Sequence, residues 1–124
     1  MSQISTDGAR RALIIDDSRA SAALAGVMLQ AAGWDFDHAL DGFEGISLLR
    51  KQSYAAVLLD YRLPGMDGVQ VMEWIRKNIM IPPAVIVLSS DCPDMLGQRF
   101  DGLGVKAVLS KPVAASELCR AIGA

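Results

Sequence analysis

The sequence is poor in the residues that build thiolate metal centres and disulfide frameworks. Its 124 residues include two cysteines and one histidine. Cys92 and Cys119 have no metal-binding spacing with His38. Two cysteines in a cytosolic domain are more often inert packing groups than a bridge. We therefore expect neither a thiolate metal site nor a structural disulfide.

Long apolar runs and an excess of basic charge are also missing. The longest apolar run, from Ile79 to Leu88, contains Pro82 and Pro83 and is far shorter than the roughly 20 residues of a transmembrane helix. Residues 1–10 lack the apolar core of a signal peptide, so a cytosolic domain without a membrane partner is expected. The net charge is −2 and the 12 basic residues are spread along the chain, which disfavours direct binding to nucleic acid.

What the chain does contain is a high share of apolar residues, 52% of the total, arranged in short runs. Its length corresponds to one domain, which we assign to residues 11–124, with residues 1–10 as an N-terminal extension. Each apolar run suits a short strand, and each is followed by a helical pattern. The strands are predicted at 11–15, 34–40, 55–60, 84–88 and 106–109.

Strand and helix alternate five times, which predicts an α/β fold with a doubly wound, flavodoxin-like parallel sheet. The second predicted strand, from Trp34 to Leu40, alternates apolar and polar residues as an edge strand does. His38 is expected to be exposed there. This pattern favours the strand order 2-1-3-4-5. A weaker helix is predicted over 92–101, since Gly97 lowers its helix propensity.

The first predicted helix follows Ser18, a favourable N-cap residue, and stops at Gly33. The helical spacing of Leu24, Val27 and Met28 predicts that these side chains face the sheet. The outward positions are then small or apolar: Ala22, Ala25, Gly26 and Leu29. This outward face is expected either to reflect the high helix propensity of alanine or to form a docking face for a kinase or phosphotransfer domain.

Polar residues follow the predicted strands at the points where their apolar runs end. The carboxyl ends of parallel strands meet at one edge of an open sheet, where such sheets bind ligands. The residues at these ends are Asp16, Asp17, Asp60, Ser89 and Lys111. Strands one and three are expected to be neighbours, so three carboxylates share one pocket. Unit charges about 4 Å apart repel by roughly 4 kcal/mol at an effective dielectric of about 20, so the cluster requires a cation.

A hard divalent cation with oxygen ligands fits such a cluster, and Mg²⁺ typically takes one or two carboxylates, waters and a phosphate. A carboxylate nucleophile beside a metal, a lysine and a hydroxyl is suited to forming an aspartyl phosphate. Each residue also has a structural interpretation, because Asp16, Asp17 and Ser89 could cap helices and Lys111 could be a solvated surface residue. Their joint presence favours the phosphoryl site.

Over nearly the whole sequence, from Leu13 to Ile122, the chain resembles the receiver domain of two-component response regulators. An ordered set of motifs carries the resemblance: Asp16-Asp17, Asp60 with the turn Leu63-Pro64-Gly65-Met66-Asp67-Gly68, Ser89, and Lys111-Pro112. The resemblance implies that Asp60 accepts a phosphoryl group from a phosphohistidine of a histidine kinase or histidine phosphotransfer domain. It also implies that Ser89 donates to one phosphoryl oxygen and that Lys111 pairs with another.

The same resemblance implies a metal site and a signalling role. Mg²⁺ is expected to be ligated by Asp17, Asp60 and the main-chain carbonyl of Arg62, with Asp16 reaching it largely through water. The Lys111-Pro112 peptide is expected to be cis. A module of this kind is not an enzyme in the usual sense, since it catalyses only its own phosphorylation and dephosphorylation.

The sequence departs from many family members at Val108, where they carry tyrosine or phenylalanine, so the resemblance does not extend to their aromatic switch. Two other functional classes stay open. A phosphatase that forms an aspartyl phosphate would place two aspartates one residue apart, whereas Asp16 and Asp17 are adjacent. A structural interaction domain would not need the intact acids, serine and lysine. Both a free-standing regulator and the receiver of a hybrid kinase are compatible with the sequence.

Overall fold

The computed structural model describes residues 10–90, 99–100 and 102–123. In these ranges, five strands form one parallel sheet in the order 2-1-3-4-5, which confirms the predicted fold class. The strands are β1 (Arg11–Ile15), β2 (Asp35–Ala39), β3 (Ala56–Asp60), β4 (Ala84–Ser89) and β5 (Ala107–Ser110). The described helices are α1 (Arg19–Ala31), α2 (Gly42–Lys51), α3 (Gly68–Asn78) and α4 (Ala115–Ile122). Most of the helix predicted over 92–101 lies outside the described residues.

The sheet separates two apolar cores, because successive side chains of a strand point to opposite faces. Leu13, Val57 and Leu59 lie in a core with residues of α2 and α3. Ile14 and Leu58 lie in a second core with residues of α1 and α4. Every residue of β3 is buried, as expected for a central strand covered on both faces. Side chains can therefore reach solvent from this strand only near its ends.

The helices are short and several begin at polar caps. The side chain of Ser18 accepts a hydrogen bond from the amide of Ser21 at the start of α1. Asp41 accepts from the amide of Glu44 at the start of α2 in the same way. These bonds satisfy amides that the first helical turn leaves unpaired. The longest described helix has 13 residues, and none in the described ranges has the length and hydropathy needed to traverse a lipid bilayer.

The buried face of α1 is the opposite of the one predicted. Four residues expected to face outward are buried: Ala22, Ala25, Gly26 and Leu29. Leu24 and Val27, expected to face the sheet, are 53% and 64% exposed. Both faces of this helix are small or apolar, so helical spacing does not distinguish them. A Cβ at Gly26 would collide with the ring of Phe36 on β2, and the close approach selects the small-residue face. The predicted outward face, and the docking face assigned to it, are therefore wrong.

Candidate functional site

The carboxyl ends of the strands converge at one edge of the sheet, as the strand order requires. Asp60 and Ser89 are the last residues of β3 and β4, and Asp16 follows β1 directly. All three are buried. Lys111 follows β5, and its Nζ lies 3.0 Å from Asp16 Oδ2 and 3.6 Å from Asp60 Oδ1. The fold thus gathers these predicted site residues at one edge of the sheet.

Asp17 completes an acidic cluster with Asp16 and Asp60. One carboxylate oxygen from each residue lies within 4.8 Å of the other two. Asp17 is exposed whereas Asp16 is buried, so the cluster is accessible from the Asp17 side. Among the described ion pairs of the cluster, Lys111 supplies the cation, and three ionised carboxylates exceed its charge. This donor set fits a hard divalent cation with oxygen ligands.

Hydrogen bonds hold the Asp16 carboxylate in place. Its Oδ1 accepts from the amide of Ser18 at 2.9 Å, and its Oδ2 accepts from Lys111 Nζ at 3.0 Å. Burial by itself raises the pKa of Asp16, but the hydrogen bonds from Ser18 and Lys111 and the charge of Lys111 outweigh it and lower the pKa below the usual aspartate value. Asp16 therefore remains ionised in its buried position.

Asp60 shows the opposite shift. Burial is the largest cause and raises the pKa of Asp60 to about 6, and the negative charge of Asp16 acts in the same direction. The charge of Lys111 and a hydrogen bond from the main-chain amide of Arg62 oppose the increase. The negative charge on Asp60 is thus incompletely compensated by its surroundings, and an added cation would stabilise it.

The turn after β3 sets the main chain of Arg62 beside Asp60. Gly65 has a φ of +76°, a left-handed conformation that glycine adopts without steric penalty. Asp67 then caps α3 in a capping box, which confirms the predicted turn and N-cap. The guanidinium carbon of Arg62 lies 6.0 Å from the centroid of the Tyr61 ring, and the side chain is exposed. A hydrogen bond from the main-chain amide of Arg62 to Asp60 places the main chain of Arg62 beside this carboxylate.

Ser89 and Lys111 are connected through the main chains of neighbouring strands. The amide of Lys111 donates to the carbonyl of Ser89 at 2.9 Å. The Lys111–Pro112 peptide is cis, as predicted. Since Ser89 pairs with Ser110 across the β4–β5 ladder, the serine and the lysine lie at the same edge of the sheet.

One contact of the site was not expected from the sequence. His38, predicted to be exposed, is half-buried, and its Nε2 lies 2.7 Å from the main-chain carbonyl oxygen of Asp16. The prediction of an exposed His38 is therefore wrong. In the parallel pairing of β1 and β2, His38 lies opposite Ile14, two residues before Asp16. A polar side chain at this register position, beside an acidic loop, is the signal that could have revealed the contact.

Comparison with known proteins assigns the family. The family model of the response regulator receiver domain matches residues 12–123. The chain belongs to this family. The match confirms the resemblance found in the sequence and makes the chain a signalling domain of two-component systems. Receiver domains interact with histidine kinases or phosphotransfer proteins and are generally not classed as enzymes.

Two curated relatives contain a region similar to this receiver domain. The chain is 30% identical over 116 residues to the autoinducer 2 sensor kinase/phosphatase LuxQ of Vibrio cholerae, covering 94% of the chain and 14% of LuxQ. It is 36% identical over 108 residues to the transcriptional regulatory protein HprR of Escherichia coli, covering 86% of the chain and 47% of HprR. The receiver domain thus spans less than half the length of either relative.

Solved structures match the fold closely. A sensor protein from Polaromonas sp. JS666 superimposes with a TM-score of 0.86 at 26% identity, covering 93% of this chain and 94% of the other. A response regulator receiver domain protein from Clostridium thermocellum gives a TM-score of 0.83 at 26% identity, with 91% and 90% covered. Both share the overall fold of this chain.

Proposed function

We propose that this receiver domain accepts a phosphoryl group on Asp60 from a phosphohistidine, with Mg²⁺ bound at the acidic cluster. The observation that carries the proposal is the environment of Asp60. Lys111 Nζ lies 3.6 Å from its carboxylate, and carboxylate oxygens of Asp16 and Asp17 lie within 4.8 Å. A buried carboxylate with a raised pKa and a specific charged partner is a functional candidate on physical grounds.

In the proposed transfer, an oxygen of the Asp60 carboxylate attacks the phosphorus of the phosphohistidine. The O–P bond forms as the P–N bond breaks, and the histidine nitrogen leaves with the bonding electron pair and takes up a proton. Lys111 compensates charge on one phosphoryl oxygen, and the Ser89 hydroxyl donates to another. Water later hydrolyses the acyl phosphate, which regenerates Asp60 and releases inorganic phosphate. The catalysis proposed for the domain is limited to these two steps.

The proposed metal ligands are Asp17, Asp60 and the main-chain carbonyl of Arg62, with Asp16 acting largely through water. The hydrogen bonds of Asp16 support this division, since each of its carboxylate oxygens already accepts from Ser18 or Lys111. Asp17 is exposed and therefore better placed for direct ligation. When bound, Mg²⁺ supplies positive charge for the phosphoryl oxygens.

The exposed face of α1 is the proposed docking surface for a histidine kinase or histidine phosphotransfer domain. Leu24 borders a pocket of about 260 Å³ that is also lined by Met28, Lys111 and Pro112. Because Lys111 also contacts Asp60, this pocket lies beside the phosphoryl site. A donor must bring its phosphohistidine to Asp60, and an apolar surface at this edge would hold it there.

The docking proposal is tested by comparing two phosphoryl donors. In Leu24→Glu, the rate of transfer from a phosphorylated histidine phosphotransfer domain should fall about tenfold from the wild-type rate, because a charge buried in the interface opposes docking. The rate of labelling by acetyl phosphate should not show this loss. Met80→Glu is the control, since Met80 is 97% exposed in the loop between α3 and β4. Equal loss with both donors would contradict a docking role for Leu24.

We further propose that residues 11–124 form the receiver, that residues 1–10 are an N-terminal extension, and that the domain acts in the cytoplasm without direct contact to nucleic acid or membrane. It serves either as a free-standing regulator or as the receiver of a hybrid kinase. In both curated relatives the matched region is part of a longer protein, at 14% of LuxQ and 47% of HprR.

The phosphoacceptor assignment is tested by intact-protein mass after incubation with acetyl phosphate and Mg²⁺. The wild type should gain one phosphoryl group, and Asp60→Asn should gain none, because an amide oxygen is a poor nucleophile. Asp35→Asn, an exposed position on β2, is the matched control and should label normally. Labelling of Asp60→Asn at the wild-type rate would show that the nucleophile is another residue. Multiple turnover of a small phosphate ester would indicate a phosphatase instead.

A further inference from the structure

We infer that His38 is a positioning residue for the acidic cluster: its imidazole holds the peptide between Asp16 and Asp17 in the orientation that metal binding requires. The inference rests on the proposed function, because it concerns the same Mg²⁺ site. It adds a residue from the edge strand β2 to a site otherwise built on β1, β3, β4 and β5.

The contact takes the place of a main-chain hydrogen bond. The amide of Asp16 donates to the carbonyl of Ala39 at 3.0 Å, which continues the β1–β2 ladder by one step. In a parallel ladder, the carbonyl of Asp16 would next accept from the main chain at residue 41. The chain turns into α2 at that point, and the amide of Leu40 donates to Glu44 Oε1 at 2.7 Å. The Asp16 carbonyl is contacted instead by His38 Nε2 at 2.7 Å.

The chemistry of the pair fixes the direction of this bond. A carbonyl oxygen can only accept, so Nε2 of His38 carries the proton and donates. The donor is held by the backbone of a paired strand, since His38 lies within β2 opposite Ile14. The imidazole is half-buried and is carried by a paired strand, so it is suited to act as a positioned donor.

The main chain is consequently restrained on both sides of Asp17. On one side, His38 holds the Asp16 carbonyl. On the other, the amide of Ser18 donates to Asp16 Oδ1 at 2.9 Å, and the Ser18 side chain caps α1. Asp17 itself is exposed, so its position relative to Asp60 depends on the main chain that carries it. Loss of the His38 hydrogen bond would let the peptide between Asp16 and Asp17 rotate. Metal binding would then have to order this peptide again, and the entropy cost would weaken the binding.

The test compares Mg²⁺ affinity by calorimetry in the wild type, His38→Phe and His38→Gln. Phenylalanine fills similar space without a donor, whereas a glutamine amide can replace the Nε2 donor. His38→Phe should bind Mg²⁺ about three- to tenfold more weakly, the change expected for one hydrogen bond. His38→Gln should restore affinity to within about twofold. His38→Leu is a second variant without a donor, in case the phenylalanine protein does not fold.

Two further readouts separate positioning from general stability. Without metal, hydrogen exchange at the amides of residues 16–18 should be faster in His38→Phe than in the wild type or His38→Gln. In acetyl phosphate labelling, the Mg²⁺ concentration for half-maximal rate should rise in His38→Phe while the rate at saturating Mg²⁺ is retained. Tyr54→Phe is the matched control, since it removes a hydrogen bond to Asp37 of the same strand and should leave Mg²⁺ affinity unchanged.

The outcomes distinguish this inference from the proposed function. A wild-type protein that binds no Mg²⁺ and takes no label would overturn both. A wild-type protein that binds and labels, with non-donor variants of equal Mg²⁺ affinity, would overturn only the role of His38. Equal weakening in His38→Phe and His38→Gln would show that donation to the Asp16 carbonyl is not the reason for the effect.

Discussion

Two carboxylate clusters in this domain use similar groups but balance charge differently. On the edge strand β2, Asp37 accepts hydrogen bonds from the hydroxyl of Tyr54 at 2.7 Å, Nε2 of Gln52 at 3.1 Å and Nη1 of Arg11 at 3.2 Å. One carboxylate there meets one guanidinium and two neutral donors. Its charge is matched and its oxygens are satisfied, so this cluster serves to connect β2 with β1 and with the segment between α2 and β3.

The cluster around Asp60 retains negative charge instead. Asp16, Asp17 and Asp60 converge within 4.8 Å, and Lys111 contacts two of them. The pKa of Asp60 is raised, mainly by burial. Acidic residues alone therefore do not mark a functional site. Uncompensated charge that solvent can reach is a more reliable indicator of one. Four predictions test this distinction.

Lys111→Ala should have the largest effect. Removing the ammonium should slow acetyl phosphate labelling by about 10²-fold, because preorganised charge on the phosphoryl oxygens is lost. Mg²⁺ binding should be retained, since removal of a cation does not weaken attraction between the carboxylates and a second cation. Lys106→Ala, at an exposed position, is the control for labelling kinetics. Lost Mg²⁺ affinity in Lys111→Ala would show that the lysine orders the acidic cluster.

Asp17→Ala and Asp37→Ala test whether the two clusters differ in metal binding. Asp17→Ala should weaken Mg²⁺ binding at least about tenfold, because it removes a proposed direct ligand. Asp37→Ala should leave Mg²⁺ affinity unchanged, since its carboxylate is already satisfied by Tyr54, Gln52 and Arg11. Calorimetric titration of both folded variants measures the difference. Similar losses in the two would remove the proposed distinction.

Asp60→Asn should stabilise the metal-free protein at neutral pH, by on the order of 1–3 kcal/mol. The pKa of Asp60 is raised to about 6 in the folded state, chiefly by burial. Folding therefore favours the protonated acid: its stabilising contribution is complete below the usual aspartate pKa, about 4, and is lost as pH rises through about 6.

The prediction for Asp60→Asn is tested by urea unfolding in the presence of a metal chelator, measured across this pH range. The advantage of the variant over the wild type should grow as pH rises from about 4 to about 7. Asp37→Asn is the matched carboxylate control and should be destabilised, because it loses charge-assisted hydrogen bonds. The same aspartate-to-asparagine change would then raise the free energy of unfolding at one cluster and lower it at the other. A destabilised Asp60→Asn at neutral pH would contradict the unbalanced charge described here.

Tyr54→Phe should have the smallest effect, a loss of about 1 kcal/mol of unfolding free energy near neutral pH. Burial and the hydrogen bond to Asp37 raise the pKa of Tyr54. The stabilising contribution of its protonated form is complete below the usual tyrosine pKa of about 10 and is lost as pH rises above it. The difference between wild type and variant should therefore shrink in alkali. A difference that does not change with pH would contradict the shift.

Much of the site could be predicted because it lies where apolar runs end. Asp60 and Ser89 close buried strands, and Lys111 follows the last one, so each position could be read from the switch between apolar and polar residues. In a parallel sheet these ends share one edge, whatever the details of packing. The turn at Gly65 was equally local, because its positive φ depends on the residue type.

Features that depend on contacts between distant segments could not be predicted in this way. The partner of His38 is the main-chain carbonyl of Asp16, 22 positions earlier in the sequence, and it becomes apparent only once the pairing of β1 with β2 is known. Asp16 and Asp17 are neighbours of identical type, yet one is buried against Lys111 and the other is exposed. The lysine that pairs with Asp16 is 95 positions away in sequence.

The sequence by itself determined the strands, their order, the family and the polar residues that meet at one edge of the sheet, because burial and turn chemistry act over a few residues at a time. Only the tertiary structure decided which face of α1 is buried, since both faces are apolar and the fit of Gly26 against Phe36 selects one. It also decided which carboxylates are compensated, because charge balance depends on how groups far apart in the chain are brought together.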